Sequence, residues 1–385
     1  MKRISLIAIM ALMGIGSVAA KSSTTLPIVG EVVKATNPLI QYVGRVSFAK
    51  NETANFNFPG TSILARFQGS SLKMICRPKT GYFMAQVDGC EPFKVGFNAE
   101  RDSVVTVAAA LPKGEHQVKL MYVIEGLFRT PEFRGFVLDK GCSLVKSPDL
   151  PERKIEFIGN SITCGYGVES IEMTDPFEDE TENHWLTYAN IVSDSLNAQH
   201  TSISRSGIGV YRNYDGPKAG SDENMPWQYE YTLFNKHDEK WNFNKYQPQL
   251  VCINLGTNDL STNNYDIALY EKNYRMFLTT VRSKYPNAKI VLITGPMLGE
   301  KESGEQREVL DRICSDANKK GFTLPEEVRK ARKGKNKGDK DIYRFDFTFQ
   351  AGDLGYGASW HPSKLQHQKM AGELLPFLRN LMGWE

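Results

Sequence analysis

The chain is poor in cysteine, and the cysteines it has form no pattern. They stand at 76, 90, 142, 164, 252 and 314, with no Cys-x-x-Cys pair and no His/Cys cluster at zinc spacing. A zinc-ribbon site and a dithiol redox centre are therefore excluded as readings. Spacing leaves a Cys76–Cys90 or a Cys90–Cys142 bridge open in an oxidising compartment, while Cys252 lies in an apolar run and reads as core. An excess of one charge is missing too, since 47 Lys and Arg face 44 Asp and Glu for a net +3. Such a balance gives no support for nucleic-acid binding. The basic stretch from Arg329 to Lys340 is broken by Gly334, Gly338 and Asp339 and reads as a solvated loop.

Long apolar runs are confined to the first 20 residues. Lys2 and Arg3, the run Ile4 to Ile15 and the small residues Val18-Ala19-Ala20 read as a secretory signal, too short to span a membrane comfortably. Its removal takes the formal charge from +3 to +1. No cysteine precedes Cys76, so no lipid-attachment cysteine is present at the cleavage point. The expectation is an exported, periplasmic or extracellular protein, monomeric and without a membrane anchor.

The remainder divides near Ser147-Pro148-Asp149-Leu150-Pro151, giving a segment 21–147 and a segment 148–385. In the first, short runs rich in β-branched and aromatic residues alternate with turn signals: Thr61 to Phe67, Ser71 to Cys76, Tyr82 to Val87, Ser103 to Val107 and Gln117 to Ile124. Short strands at this spacing predict an antiparallel β-sandwich of jelly-roll type. In the second, strand-like runs (Lys154 to Ile158, Ala198 to Ser204, Leu250 to Leu255, Lys289 to Thr294, Ile342 to Phe347) alternate with amphipathic segments. Tyr270, Tyr274, Phe277 and Val281 mark one helical face, and Ser363 with Gln366 marks the start of a last helix that Pro376 bends or interrupts. The alternation predicts a parallel, three-layer α/β sheet. The short join, not Gly/Ser-rich, predicts two domains that pack closely and unfold together.

Four separated segments carry the chemistry: Gly159-Asn160-Ser161, Ser206-Gly207-Ile208-Gly209, Gly256-Thr257-Asn258-Asp259 and Trp360-His361-Pro362. They supply a hydroxyl, a flexible backbone N–H, a side-chain amide and an imidazole, the parts of acyl transfer from a serine. Ser161, Gly207 and Asn258 each follow a predicted strand, so all three should meet at the carboxyl edge of the sheet, where ligands bind. Each has a plainer reading: Ser161 as a helix N-cap, the glycines as a tight turn, Asn258 as a turn residue, His361 as a structural histidine. The Gly-x-Ser-x-Gly elbow of α/β-hydrolases is absent.

These blocks resemble those of the SGNH (GDSL-like) hydrolases, with Gly-Asn-Ser where many members have Gly-Asp-Ser. The stretch Ile158 to Gly167 and the stretch Ser206 to Asn213, behind a predicted jelly roll, are more similar still to carbohydrate esterase family 2. The resemblance implies cofactor-free removal of O-acetyl groups from plant polysaccharides or oligosaccharides such as acetylated xylan. It implies Ser161 as nucleophile, His361 as base, and the N–H groups of Ser161 and Gly207 with the Asn258 amide as oxyanion donors. Gly209 is the alternative to Gly207. Trp360 and Tyr211 are candidate sugar contacts, with a core role the alternative for Trp360. No metal is implied.

One departure matters. Where the wider family carries Asp three residues before the histidine this chain has Ala358, and where close members have Asp two before it there is Ser359. The expectation is a Ser-His dyad with a backbone carbonyl before His361 orienting the imidazole, Ser359 helping as a hydroxyl acceptor. Asp353 is the nearest upstream carboxylate, and Asp259 is expected to order its own turn. Two rival readings are a non-catalytic carbohydrate-binding protein and a lipase or thioesterase acting on longer acyl chains.

Overall fold

The computed structural model describes residues 28–49, 52–100, 104–262, 264–320 and 339–385. The signal-like segment 1–20 and most of the basic stretch, up to residue 338, lie outside the described residues.

Residues 31–145 form two facing antiparallel sheets. One is built on Leu72–Cys76 and Glu132–Leu138, the other on Ser62–Gly69, Gly81–Val87 and Gly114–Tyr122. Period-2 alternation decides which side chains fill the gap. Along Gly114–Tyr122, His116, Val118 and Leu120 turn inward while Gln117 stays exposed and Lys119 half-buried. Phe56, Phe83 and Tyr122 meet edge to face at the centre of that core, with centroids 5.2–6.0 Å apart. The cysteines stay apart: all six are free thiols, so neither contemplated bridge forms. Cys252 is buried, as its apolar run suggests.

From residue 153 onward the strands are parallel. The sheet order is Ala198–Ser204, Arg153–Gly159, Leu250–Asn254, Lys289–Thr294, Ile342–Asp346. The middle strand Leu250–Asn254 is buried at every residue because helices cover both faces. Helix Ile267–Lys284 turns Tyr270, Tyr274, Phe277 and Val281 inward, the face its spacing predicts. Ser363 caps the last helix by accepting the N–H of Gln366 at 3.1 Å, and the helix runs through Pro376 to Met382 without interruption. Among the described residues no helix is long and apolar enough to cross a membrane.

The two halves are stitched by buried polar groups. Arg45 leaves the sandwich and enters an aromatic cage of the α/β half, its guanidinium 5.0 Å from the Tyr229 ring, 5.2 Å from Phe243 and 5.6 Å from Trp241. It donates to the carbonyls of Tyr229 and Tyr231, the latter at 2.7 Å. Its charge also opposes the rise that burial imposes on the Glu156 carboxyl, which accepts from the Tyr229 and Tyr285 hydroxyls at 2.6 and 2.8 Å. Removing one member of such a buried charged set costs on the order of 3–5 kcal/mol. Arg45→Ala should therefore lower the midpoint of a single calorimetric transition steeply; two separate transitions in the parent would contradict the interlock.

Candidate active site

Three strands deliver their following residues to one edge of the sheet. Arg153–Gly159 leads to Ser161, Ala198–Ser204 to Gly207, and Leu250–Asn254 to Asn258. Gly159 is needed where the first strand breaks, since a Cβ there would stand 2.1 Å from Thr163 Oγ1. The short helix Ser161–Cys164 follows, but its cap is Asn160, whose side chain accepts the N–H of Ile162 at 3.1 Å. Ser161 is thus the first helical residue rather than the cap, and its hydroxyl is left for other work.

That hydroxyl lies 2.8 Å from His361 Nε2. On the far side of the ring, Nδ1 faces two backbone carbonyls, Ala358 O at 3.0 Å and Ser359 O at 3.2 Å. A carbonyl can only accept, so Nδ1 carries the proton and Nε2 presents its lone pair to Ser161 Oγ–H. The loop achieves this by holding Ser359 and Trp360 at φ of 50° and 58°, left-handed values that non-glycine residues rarely adopt. The turn curls both carbonyls under the imidazole. Ser359 contributes its carbonyl and not its hydroxyl, which donates instead to Asp175 O. Tyr166 stacks on the ring with centroids 4.1 Å apart, and Phe177 packs behind Tyr166 at 4.6 Å. Burial in this slot pushes His361 down to about 4, against the pull of its two carbonyl partners.

No carboxylate bonds to His361 among the described residues. Asp353 is exposed. Asp259 is fully buried and accepts the N–H groups of Val210, Tyr211 and Arg212 at 3.0, 2.8 and 3.0 Å. It orders the neighbouring loop as well as its own backbone N–H, and burial raises it to about 6.

The same loop decides between the two glycines. Gly207 has φ +73° and its N–H has no acceptor among the described residues, whereas the Gly209 N–H donates to Asn213 Oδ1 at 3.1 Å. The Asn258 amide spends one N–H on Ile208 O at 2.8 Å, leaving its second for a ligand. Ser161 N, at the helix start, also lacks a protein acceptor among the described residues. Three donors and a hydroxyl–imidazole pair therefore belong to one strand edge.

Tyr211 does not line this edge. It is 1% exposed, packs in the α/β core and uses its hydroxyl to accept the N–H of Asp266 at 2.8 Å, so its proposed sugar contact is withdrawn. Trp360 is 53% exposed and is no core anchor; its backbone is pinned by Met173 O and Gln350 Nε2. Sequence reasoning missed Tyr214, an exposed ring whose N–H donates to Gly207 O at 2.8 Å, and Tyr166. Both lie inside or beside the matched blocks, but nothing in their spacing assigns them a role. One group of metal-type ligands converges among the described residues, the buried Glu125, Cys164 and Glu182.

Residues 42–148 match the carbohydrate esterase 2 N-terminal domain, and residues 155–374 match the GDSL-like lipase/acylhydrolase family. A family two carbohydrate esterase from Clostridium thermocellum, solved with cellohexaose, superposes with a TM-score of 0.79 at 34% identity, covering 90% of this chain and all of that one. The chain belongs to carbohydrate esterase family 2. Membership places it among the carbohydrate esterases, with that family's N-terminal domain ahead of an SGNH domain. A cellulase/esterase, CelE, of Acetivibrio thermocellus is 34% identical over 90% of this chain, which spans only 40% of that relative. An acetylxylan esterase/glucomannan deacetylase of Cellvibrio japonicus is 27% identical, with 91% of each chain covered.

Proposed function

We propose that this family 2 protein removes O-acetyl groups from plant polysaccharides or their oligosaccharides, acetylated xylan among them, after export. The export reading rests on the leader-like residues 2–20. The observation that carries the activity is the 2.8 Å Ser161–His361 pair with the imidazole proton held on the opposite nitrogen by two carbonyls. Names of relatives acting on acetylxylan and glucomannan support the substrate class.

In this reading, His361 Nε2 takes the Ser161 proton as Oγ bonds to the acetyl carbon. The carbonyl electron pair moves onto oxygen, which is held by the N–H groups of Ser161 and Gly207 and the second Asn258 N–H. Collapse expels the sugar oxygen, which receives the proton from His361, and leaves acetyl-Ser161. Water repeats the sequence with His361 as base and frees acetate. The carbonyls of Ala358 and Ser359 fix the tautomer fully, but being neutral they stabilise the imidazolium less than a carboxylate does. Release of acetate from acetylated xylan, with octanoyl esters turned over poorly, tests this; preference for octanoyl esters would replace it with a lipase reading.

Exposure of Trp360 beside His361 suits a sugar platform. Trp360→Ala should raise KM for an acetylated oligosaccharide by about 2- to 12-fold, a stacking contact's worth, and leave KM for an aryl acetate little changed. Equal changes in both would oppose the platform.

The pH dependence has two parts. The base must be neutral, and His361 sits at about 4, so initial rates should hold into mild acid and fall with an apparent pKa of about 4. Two buried histidines add a stability contribution of their own at higher pH. Buried His184 is lowered to about 4 and buried His200 lies well below its ordinary value, so both are neutral when folded. The unfolded chain takes up those protons below about pH 6.5, so stability is lost as pH falls from there through about 4. The raised carboxyls of Glu156 and Asp259 act in the opposite sense over the same range, so the histidine share is read as a flatter pH dependence of the melting temperature in His200→Gln than in the parent; equal slopes would contradict it.

A further inference from the structure

The strand Gly114–Tyr122 ends two residues before its apolar run does, and the chain then leaves the sandwich. Val123 O accepts the N–H of His184 at 2.8 Å, and Gly126 N–H returns to Asn57 O at 2.9 Å. Between these two anchors Glu125, 3% exposed, projects into the α/β half. Its Oε2 accepts the N–H of Ser206 at 2.6 Å, the residue before Gly207. The same oxygen faces Cys164 Sγ at 3.8 Å, at the end of the short helix that starts with Ser161. Glu125 is itself held from behind, its N–H donating to Glu182 Oε2 at 2.9 Å.

We propose that Glu125 of the sandwich domain is a positioning residue for the oxyanion hole: one carboxyl oxygen, reaching across the domain boundary, ties the Gly207 loop to the Ser161 helix. The inference rests on the esterase reading above and gives the sandwich a share in catalysis. Gly207 needs the tether because glycine at φ +73° has no side chain to hold its peptide in place. A donor displaced by about 1 Å can cost about 10²-fold in rate. Burial pushes Glu125 up and Glu182 well above the usual carboxylate range. The role rests on where this oxygen accepts the Ser206 N–H, and the amide oxygen of glutamine reproduces that acceptor.

The test compares Glu125→Met, which keeps the volume but removes the acceptor, with Glu125→Gln, which keeps both. Turnover of an aryl acetate is read per active site titrated with a serine-reactive organophosphate. The methionine variant should lose about 10²-fold in kcat with KM changed by less than about 3-fold, and glutamine should restore kcat to within about 5-fold of the parent. Glu125→Ala serves the same comparison if the methionine variant does not fold. Amide hydrogen exchange over residues 205–209 gives a second reading that does not depend on activity: it should quicken at least about 10-fold in the methionine variant and not in the glutamine one. Unchanged exchange there, unchanged kcat per site, or a glutamine variant as impaired as methionine overturns the tether. A parent without acetate release would sink the esterase reading instead, and the exchange comparison would still decide the tether.

Discussion

Ser161→Ala and His361→Ala should each cost about 10⁴-fold or more in kcat on a small acetyl ester, and the double variant hardly more than either alone. The reason is geometric. One proton moves between Ser161 Oγ and His361 Nε2 across 2.8 Å, so either residue without the other has no partner for the step. Neither substitution should unfold the protein. Ser161 contributes no cap, since Asn160 supplies it, and His361 is a partly exposed residue in a loop outside both hydrophobic cores. The measurement is kcat with melting temperature recorded on each variant. Additive losses, with the double variant slower than either single by a further large factor, would show that the two residues act independently.

Asn258→Ala should cost about 10²–10³-fold in kcat, the range for one lost oxyanion donor. Asn258 does two things here, offering one N–H outward and spending the other on Ile208 O at 2.8 Å, within the loop that carries Gly207. Asn258→Asp separates these from simple shape. It preserves volume but places an acceptor, and at neutral pH a negative charge, where the oxyanion forms, so it should be no better than alanine. A kcat for the aspartate variant near the parent value would remove Asn258 from the oxyanion site.

How far the sequence could be read depended on whether an interaction was local. Strand runs Ala198–Ser204 and Lys289–Thr294 were legible to the residue because β-branched runs and turn signals are local. The same holds for Ser363, whose cap closes within three residues. Ser161, Gly207 and Asn258 could be placed together because strands in a parallel sheet end at a common edge, whereas their roles and that of His361 came from the resemblance of their blocks to the SGNH hydrolases. The absent acid was legible as an absence, and the carbonyl that replaces it as an expectation.

Long-range and backbone features were not legible. Ser359 was assigned its hydroxyl because side chains are visible in a sequence, whereas the left-handed φ that turns its carbonyl to His361 is not. Tyr211 was misassigned because an aromatic beside a functional glycine looks the same whether it points out or in; Asp259 anchors its backbone and carries the ring into the core. Arg45 and Glu125 both work across the domain boundary, 184 and 81 residues from their partners Tyr229 and Ser206, at no spacing any motif encodes.

The claim on which everything else stands is that Ser161 is the nucleophile, and peptide mapping after a stoichiometric organophosphate tests it most directly. The account predicts a single phosphoryl adduct on the peptide carrying Ser161, formed in proportion to lost activity and absent from both Ser161→Ala and His361→Ala. Full inactivation with the adduct on another residue, or rapid labelling that persists in the His361 variant, would contradict it.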